Sequence, residues 1–155
     1  MPFEGAKEGY YKEFRNKIRV IPQGFNFNEL KLCSTKSKNN IPTFAFAGAF
    51  YKGIRDPSTF LSFLTTMNMD FRFIVYTKNV DFLNPYLKQL GEKLEIRDYV
   101  AHEVLIYELS KMDFVVNFEN NTNIHSPSKL IDYAMAKRPI LNIPVEVLPA
   151  ATFYE

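Results

Sequence analysis

A chain of 155 residues, 46% hydrophobic and 15% aromatic, can bury one sizeable core and is too apolar for a disordered segment. The formal net charge is +2 and the Lys and Arg residues are scattered, so no nucleic-acid partner is expected, while acidic small ligands stay open. The lone Cys33 excludes an internal disulfide and a cysteine-rich zinc site, and no apolar run reaches the roughly 18 residues of a membrane span. Met1-Pro2-Phe3-Glu4-Gly5 has no signal-peptide pattern, which makes the cytoplasm the expected location.

Along the chain, residues 6–16 are charged and aromatic and predict a short helix. Residues 17–21 alternate as a short strand, and Pro22-Gln23-Gly24-Phe25-Asn26 breaks it as a turn. Residues 27–40 are poor in apolar positions and end in Ser34-Thr35-Lys36-Ser37-Lys38-Asn39-Asn40, as a surface loop or linker does. From Pro42 the pattern becomes regular. Apolar strands are expected over 43–47, 71–76, 94–97, 113–118 and 139–143, with helices over 57–68, 82–90, 102–111 and 127–136 between them. Near-continuous apolar strands alternating with helices predict an α/β fold: a Rossmann-like, doubly wound parallel sheet of about five or six strands, covered on both faces.

In such sheets ligands bind beyond the carboxyl ends of the strands, where the strand order reverses. The loops expected there cover residues 48–56, 77–81, 98–101 and 119–126. The last of them feeds Ser126-Pro127-Ser128-Lys129-Leu130-Ile131-Asp132-Tyr133. Ser126 suits an N-cap and Pro127 a first helical position, and Ser128 and Lys129 then stand beside unpaired backbone N–H groups, an arrangement that attracts anions such as phosphate. Asp132 follows Ser128 by four residues and Lys129 by three, so the three share a helix face from which a carboxylate can reach a sugar hydroxyl. The loop after the first strand adds Gly48, where backbone can approach closely, with Lys52 and Arg55 as phosphate partners or as ordinary solvated cations. His125 reads as a ligand contact or an exposed loop histidine. Tyr99 reads as a base-stacking ring or a surface-packed one, and His102 opens the third helix.

Other chemistry has no residues to carry it. The sequence contains no Gly-x-Gly-x-x-Gly, no phosphate-loop Gly-Lys-Ser/Thr and no nucleophile elbow. With two histidines, no cysteine pair and no Asp-x-Asp, neither a zinc site nor a carboxylate pair for a metal diphosphate has a candidate. Charge neutralisation falls to amides, Lys and Arg.

These segments together resemble the C-terminal, nucleotide-sugar donor domain of a GT-B glycosyltransferase of the family-4-like group (glycosyl transferases group 1). The likeness runs from about Tyr10 to Ile143. Lys17-Ile18-Arg19-Val20-Ile21-Pro22-Gln23-Gly24-Phe25-Asn26 is similar to the segment leading into the donor domain, and Ala47-Gly48 with Lys52 and Arg55 to the first strand and its diphosphate-facing loop. Residues 105–118 are similar to the helix and strand ahead of the donor loop. Pro127-Ser128-Lys129-Leu130-Ile131-Asp132-Tyr133 resembles the family's Pro-Ser-Lys-hydrophobic-hydrophobic-Glu-Tyr variant. The resemblance implies that Asp132 takes the ribose hydroxyls, with Ser128, Lys129 and the amides near Ser126 on the phosphates. Two departures stand out. Ile124 occupies the place of the first acidic residue of the family's Glu-seven-Glu pattern, which leaves the sugar contact of that residue without a carrier. Aspartate at 132 is also one methylene shorter than glutamate.

Residues 1–41 would then be an interdomain segment with a short helix and strand, and 42–155 the donor domain, with an N-terminal acceptor domain outside this chain. The full enzyme, a hexosyltransferase-type glycosyltransferase, would move a sugar from a nucleotide diphosphate sugar to a glycan or lipid-linked acceptor in polysaccharide or cell-surface glycan biosynthesis. The resemblance further implies retention of configuration, no metal and no cofactor, peripheral membrane association of the full enzyme and no transfer by the donor domain alone. A non-catalytic nucleotide- or protein-binding Rossmann-like module is the rival reading. A flavodoxin-like or receiver-like signalling domain fits the alternation as well, but the chain lacks an acidic cluster after the first strand.

Overall fold

The computed structural model describes residues 12–14, 16, 17, 19, 31–33, 39–119 and 129–144. The helix expected over 6–16 and the strand expected over 17–21 fall mostly outside them; a 3-10 turn spans Lys12–Phe14. Five strands follow the sequence pattern: β1 (Thr43–Ala47), β2 (Arg72–Tyr76), β3 (Leu94–Arg97), β4 (Phe114–Phe118) and β5 (Ile140–Ile143). Four helices alternate with them: α1 (Ser58–Thr66), α2 (Asn84–Leu90), α3 (His102–Leu109) and α4 (Lys129–Met135). The helix expected over 82–90 is split, because a 3-10 turn at Val80–Phe82 precedes α2 and Pro85 fits its first turn. Gly91, at φ 52°, ends α2 in a backbone region that glycine enters without steric cost.

All strand pairs are parallel, in the order β3-β2-β1-β4-β5. The chain winds outward from β1 to β3, then returns across the sheet to β4 and on to β5. This is the Rossmann-like α/β sheet expected, with its order reversing between β1 and β4. Because crossovers keep one hand, reversing the direction puts α1 and α2 on one face and α3 and α4 on the other.

The two faces of β1 differ in size, and that difference shapes the site. Phe44 and Phe46 point into an aromatic core with Phe60, Leu61 and Leu64 of α1 and Phe73 of β2. Phe44 stacks on Phe73 at 5.0 Å and on Phe114 at 4.6 Å, while Phe46 stacks on Phe50 at 4.7 Å. Such ring pairs add to the free energy of burying their area, by about 0.5–1.5 kcal/mol each. The opposite face offers the small Ala45 and Ala47, packed with Leu109 at the end of α3, Met112 just after it and Tyr133 of α4. Small side chains there let α4 come close to the strand.

Two polar anchors tie the sheet's other end. The Asp113 carboxylate accepts from the Thr43 amide at 2.8 Å and from Asn39 Nδ2 at 3.1 Å. Arg138 Nε donates to the Ser110 carbonyl at 2.6 Å and clips the turn after α4 to the end of α3. Among the described residues no helix is long and apolar enough to cross a membrane.

Candidate functional site

β1 and β4 pair only through Phe44 with Phe114 and Ala45 with Val115. Beyond Ala45 the two strands part, which frees the peptide groups of Ala47 on that side. Tyr133, fully buried on α4, fills the gap: its hydroxyl accepts from the Ala47 N–H at 3.2 Å and donates to the Ala47 carbonyl at 3.3 Å. Burial is the main cause that raises its phenol well above the ordinary value, so the hydroxyl keeps its proton and the second bond. This contact seats α4 at the order reversal. Lys129, one turn N-terminal to Tyr133, and Asp132, the residue just before it, are thereby held over the end of β1.

A cleft of about 330 Å³ opens there. Ala47, Gly48 and Tyr76 form its floor, while Tyr99, Val100, His102 and Leu105 line one wall and Lys129, Asp132 and Tyr133 the other. Gly48 has φ 145° and donates its N–H to the Tyr76 carbonyl at 3.0 Å. A β-carbon at this position would lie 3.3 Å from Phe46 Cζ and 3.6 Å from Lys129 Nζ, so a side chain would crowd the floor. Tyr76 is held by Arg97, whose Nη1 donates to its hydroxyl at 2.8 Å while Nε donates to Glu95 at 2.6 Å.

The two charged groups that α4 brings to the cleft are treated very differently. Lys129 Nζ is shielded from solvent, has no hydrogen-bond partner among the described residues, and lies 4.2 Å from the centre of the Phe46 ring. Burial, and secondarily the Arg55 charge, push its ammonium down to about 7. An ammonium in such a place is short of an anion. Asp132, in the first turn of α4, meets His102 at the start of α3: His102 Nε2 lies 2.8 Å from Asp132 Oδ1. Asp132 Oδ2 has no partner among the described residues.

Of the expected ligand residues, Gly48, Tyr99, Lys129 and Asp132 come together around this cleft. Tyr99 is half-exposed at the rim with Lys78 Nζ 5.4 Å from its ring centre. Arg55 sits in a tight turn bridged to Tyr51, donates from Nη1 to the Ala49 carbonyl at 3.2 Å, and is near enough for its charge to act on Lys129. Lys52 is exposed on that turn and does not line the cleft. His125, Ser126 and Ser128 lie outside the described residues. The sequence reading missed the approach of His102 to Asp132. The two are 30 positions apart and nothing local links them; only the strand order, which puts α3 and α4 side by side, could have pointed to the pair.

A parallel five-stranded α/β sheet with a cleft at its order reversal is a Rossmann-like architecture. The chain is similar in structure to a glycosyltransferase from Rickettsia africae ESF-5, with a TM-score of 0.59 and 15% sequence identity. The likeness covers 91% of this chain and 42% of that one, so the chain spans less than half the length of its structural neighbour. No protein-family model matches the sequence, and no curated protein does.

Proposed function

We propose that the chain is the donor-binding domain of a glycosyltransferase, and that the cleft takes the nucleotide diphosphate part of a nucleotide-sugar donor. The observation that carries the reading is the shielded Lys129 ammonium, without a hydrogen-bond partner among the described residues, in the same helix turn as the Asp132 carboxylate at the order reversal of a doubly wound sheet. The fold-level likeness to a glycosyltransferase supports the same class. In this reading the Lys129 Nζ meets a phosphate oxygen, with the Gly48 floor allowing the approach and Arg55 adding positive potential. Asp132 accepts from a ribose hydroxyl, and Tyr99 flanks the base at the rim. Lys129 and Arg55 stabilise charge that develops on the departing diphosphate, so the domain's part in transfer is electrostatic. The full enzyme would deliver the sugar to a glycan or lipid-linked acceptor held by another domain.

Calorimetric titration of the folded chain with UDP and GDP tests this. One of the two is expected to bind, and Asp132→Ala to weaken it about tenfold or more, the loss of one hydrogen bond to a charged acceptor. Absence of binding at millimolar nucleotide, or unchanged affinity in Asp132→Ala, rejects the reading.

A further inference from the structure

The contact between α3 and α4 adds a role that rests on the nucleotide reading of the cleft. Asp132 has a short side chain whose carboxylate can turn about its last bond, and in an open cleft that freedom has to be lost when a ligand binds. Here it is already restricted. His102 projects from the first residue of α3 and its Nε2 meets Oδ1 at 2.8 Å, while Oδ2 has no partner among the described residues. The Asp132 side chain is 26% exposed and that of His102 55%, so the imidazole covers one side of the carboxylate and leaves it reachable from the cleft.

We propose that His102 is a positioning residue for sugar-hydroxyl recognition: by donating to Oδ1 it orients the Asp132 carboxylate so that Oδ2 accepts from a ribose hydroxyl. The arrangement compensates for the short reach of aspartate, because a fixed carboxylate needs no rotamer search when the nucleotide arrives. It also makes discrimination between ribose and deoxyribose depend on a residue that itself touches no ligand. Removing His102 leaves the carboxylate in place but free to turn and to bind water.

The test is a double-mutant cycle read with paired ligands. UDP and 2′-deoxy-UDP, and GDP and 2′-deoxy-GDP, are titrated into the wild type, His102→Ala, His102→Gln, Asp132→Ala and the double variant His102→Ala/Asp132→Ala, each checked for an unchanged melting profile. The wild type is expected to favour the ribonucleotide by about five- to tenfold, in the range of one hydrogen bond. His102→Ala should bring that ratio close to one with little effect on the deoxynucleotide, and His102→Gln, which keeps an N–H donor, should restore most of it. The double variant should bind no more weakly than Asp132→Ala alone, since His102 acts through that carboxylate. An unchanged ratio in His102→Ala, or additive losses in the double variant, overturns the role of His102 while leaving the nucleotide site standing. No nucleotide binding by the folded wild type removes the site itself.

Discussion

At the scale of single residues, the cleft contains a conflict that a ligand would resolve. Lys129 is ionised only at the expense of burial, and its ordinary value of 10.5 falls to about 7. Between those two pH values the unfolded chain holds a proton on this amine that the folded chain has largely released, so stability rises with pH across the window. Below about pH 7 both states are protonated and the burial cost is present in full, on the order of a few kcal/mol. Lys129→Met keeps the stem and removes the charge. Denaturant unfolding is therefore expected to find the variant more stable than the wild type at pH 6, with the gap closing as pH rises toward 10. Nucleotide titration should find the opposite order, with binding to Lys129→Met weaker by about tenfold at pH 6, where the wild-type amine is charged. A variant that is destabilised at both pH values, or one that binds nucleotide as well as the wild type, contradicts this account of Lys129. Its position was legible in the sequence from the helix-opening pattern, but its environment was not. Shielding comes from Phe46 and the Gly48 turn, which lie more than 80 positions earlier in the chain and reach Lys129 only through the parting of β1 from β4.

At the scale of elements, the sequence was most informative where local chemistry sets the boundary. The strand cores were legible because runs such as Phe44-Ala45-Phe46 and Phe73-Ile74-Val75 sit between turn-forming residues, and the observed ends differ from the expected ones by a residue or so. The split before α2 was hidden because Val80-Asp81-Phe82 has the same apolar rhythm as the helix behind it. Facing was hidden for another reason: β1 is fully buried, so apolar alternation does not tell its Phe face from its Ala face. The size difference between those faces nevertheless decides where α4 can sit, and the β1-to-α1 connection depends on it directly. Gly48, at φ 145°, makes the chain turn off the sheet beneath Lys129. Gly48→Ala is expected to cost about 1–3 kcal/mol from backbone strain. The new methyl group, 3.3 Å from Phe46 Cζ, should also push on the ring that the Lys129 amine rests against. Thermal melting should therefore show a lower transition, and nucleotide affinity should fall in a variant that is still fully folded at the temperature of titration. A melting point within a degree of the wild type, with unchanged binding, would mean that the turn tolerates a β-carbon.

At the scale of the whole molecule, one sheet is shared by two cores, and this governs how the domain unfolds. Successive residues of β1 and β2 contribute to opposite faces: Phe44, Phe46, Phe73 and Val75 to the aromatic core under α1 and α2, and Ala45, Ala47, Ile74 and Tyr76 to the smaller core under α3 and α4. Neither layer can be released without exposing the other side of the same strands. Phe73→Ala and Leu109→Ala, each at a fully buried position on opposite faces, should then lower the same single transition. The expected losses are about 3–5 kcal/mol for the phenylalanine and about 2–5 kcal/mol for the leucine. Circular dichroism of the helices and the NMR ring resonances of Tyr76 and Tyr133, which report the α3 and α4 side, should melt together in both variants. Nucleotide bound in the cleft should raise that one transition for both probes, by about 2.7 kcal/mol of stability at a hundredfold excess over Kd. If Leu109→Ala instead melts its own layer first, with the native Tyr76 and Tyr133 ring resonances lost before the bulk of the helix signal and the ligand shifting only that early step, the faces unfold separately. The order reversal between β1 and β4 would then be a hinge within the sheet rather than the rigid seat that a preformed donor cleft requires.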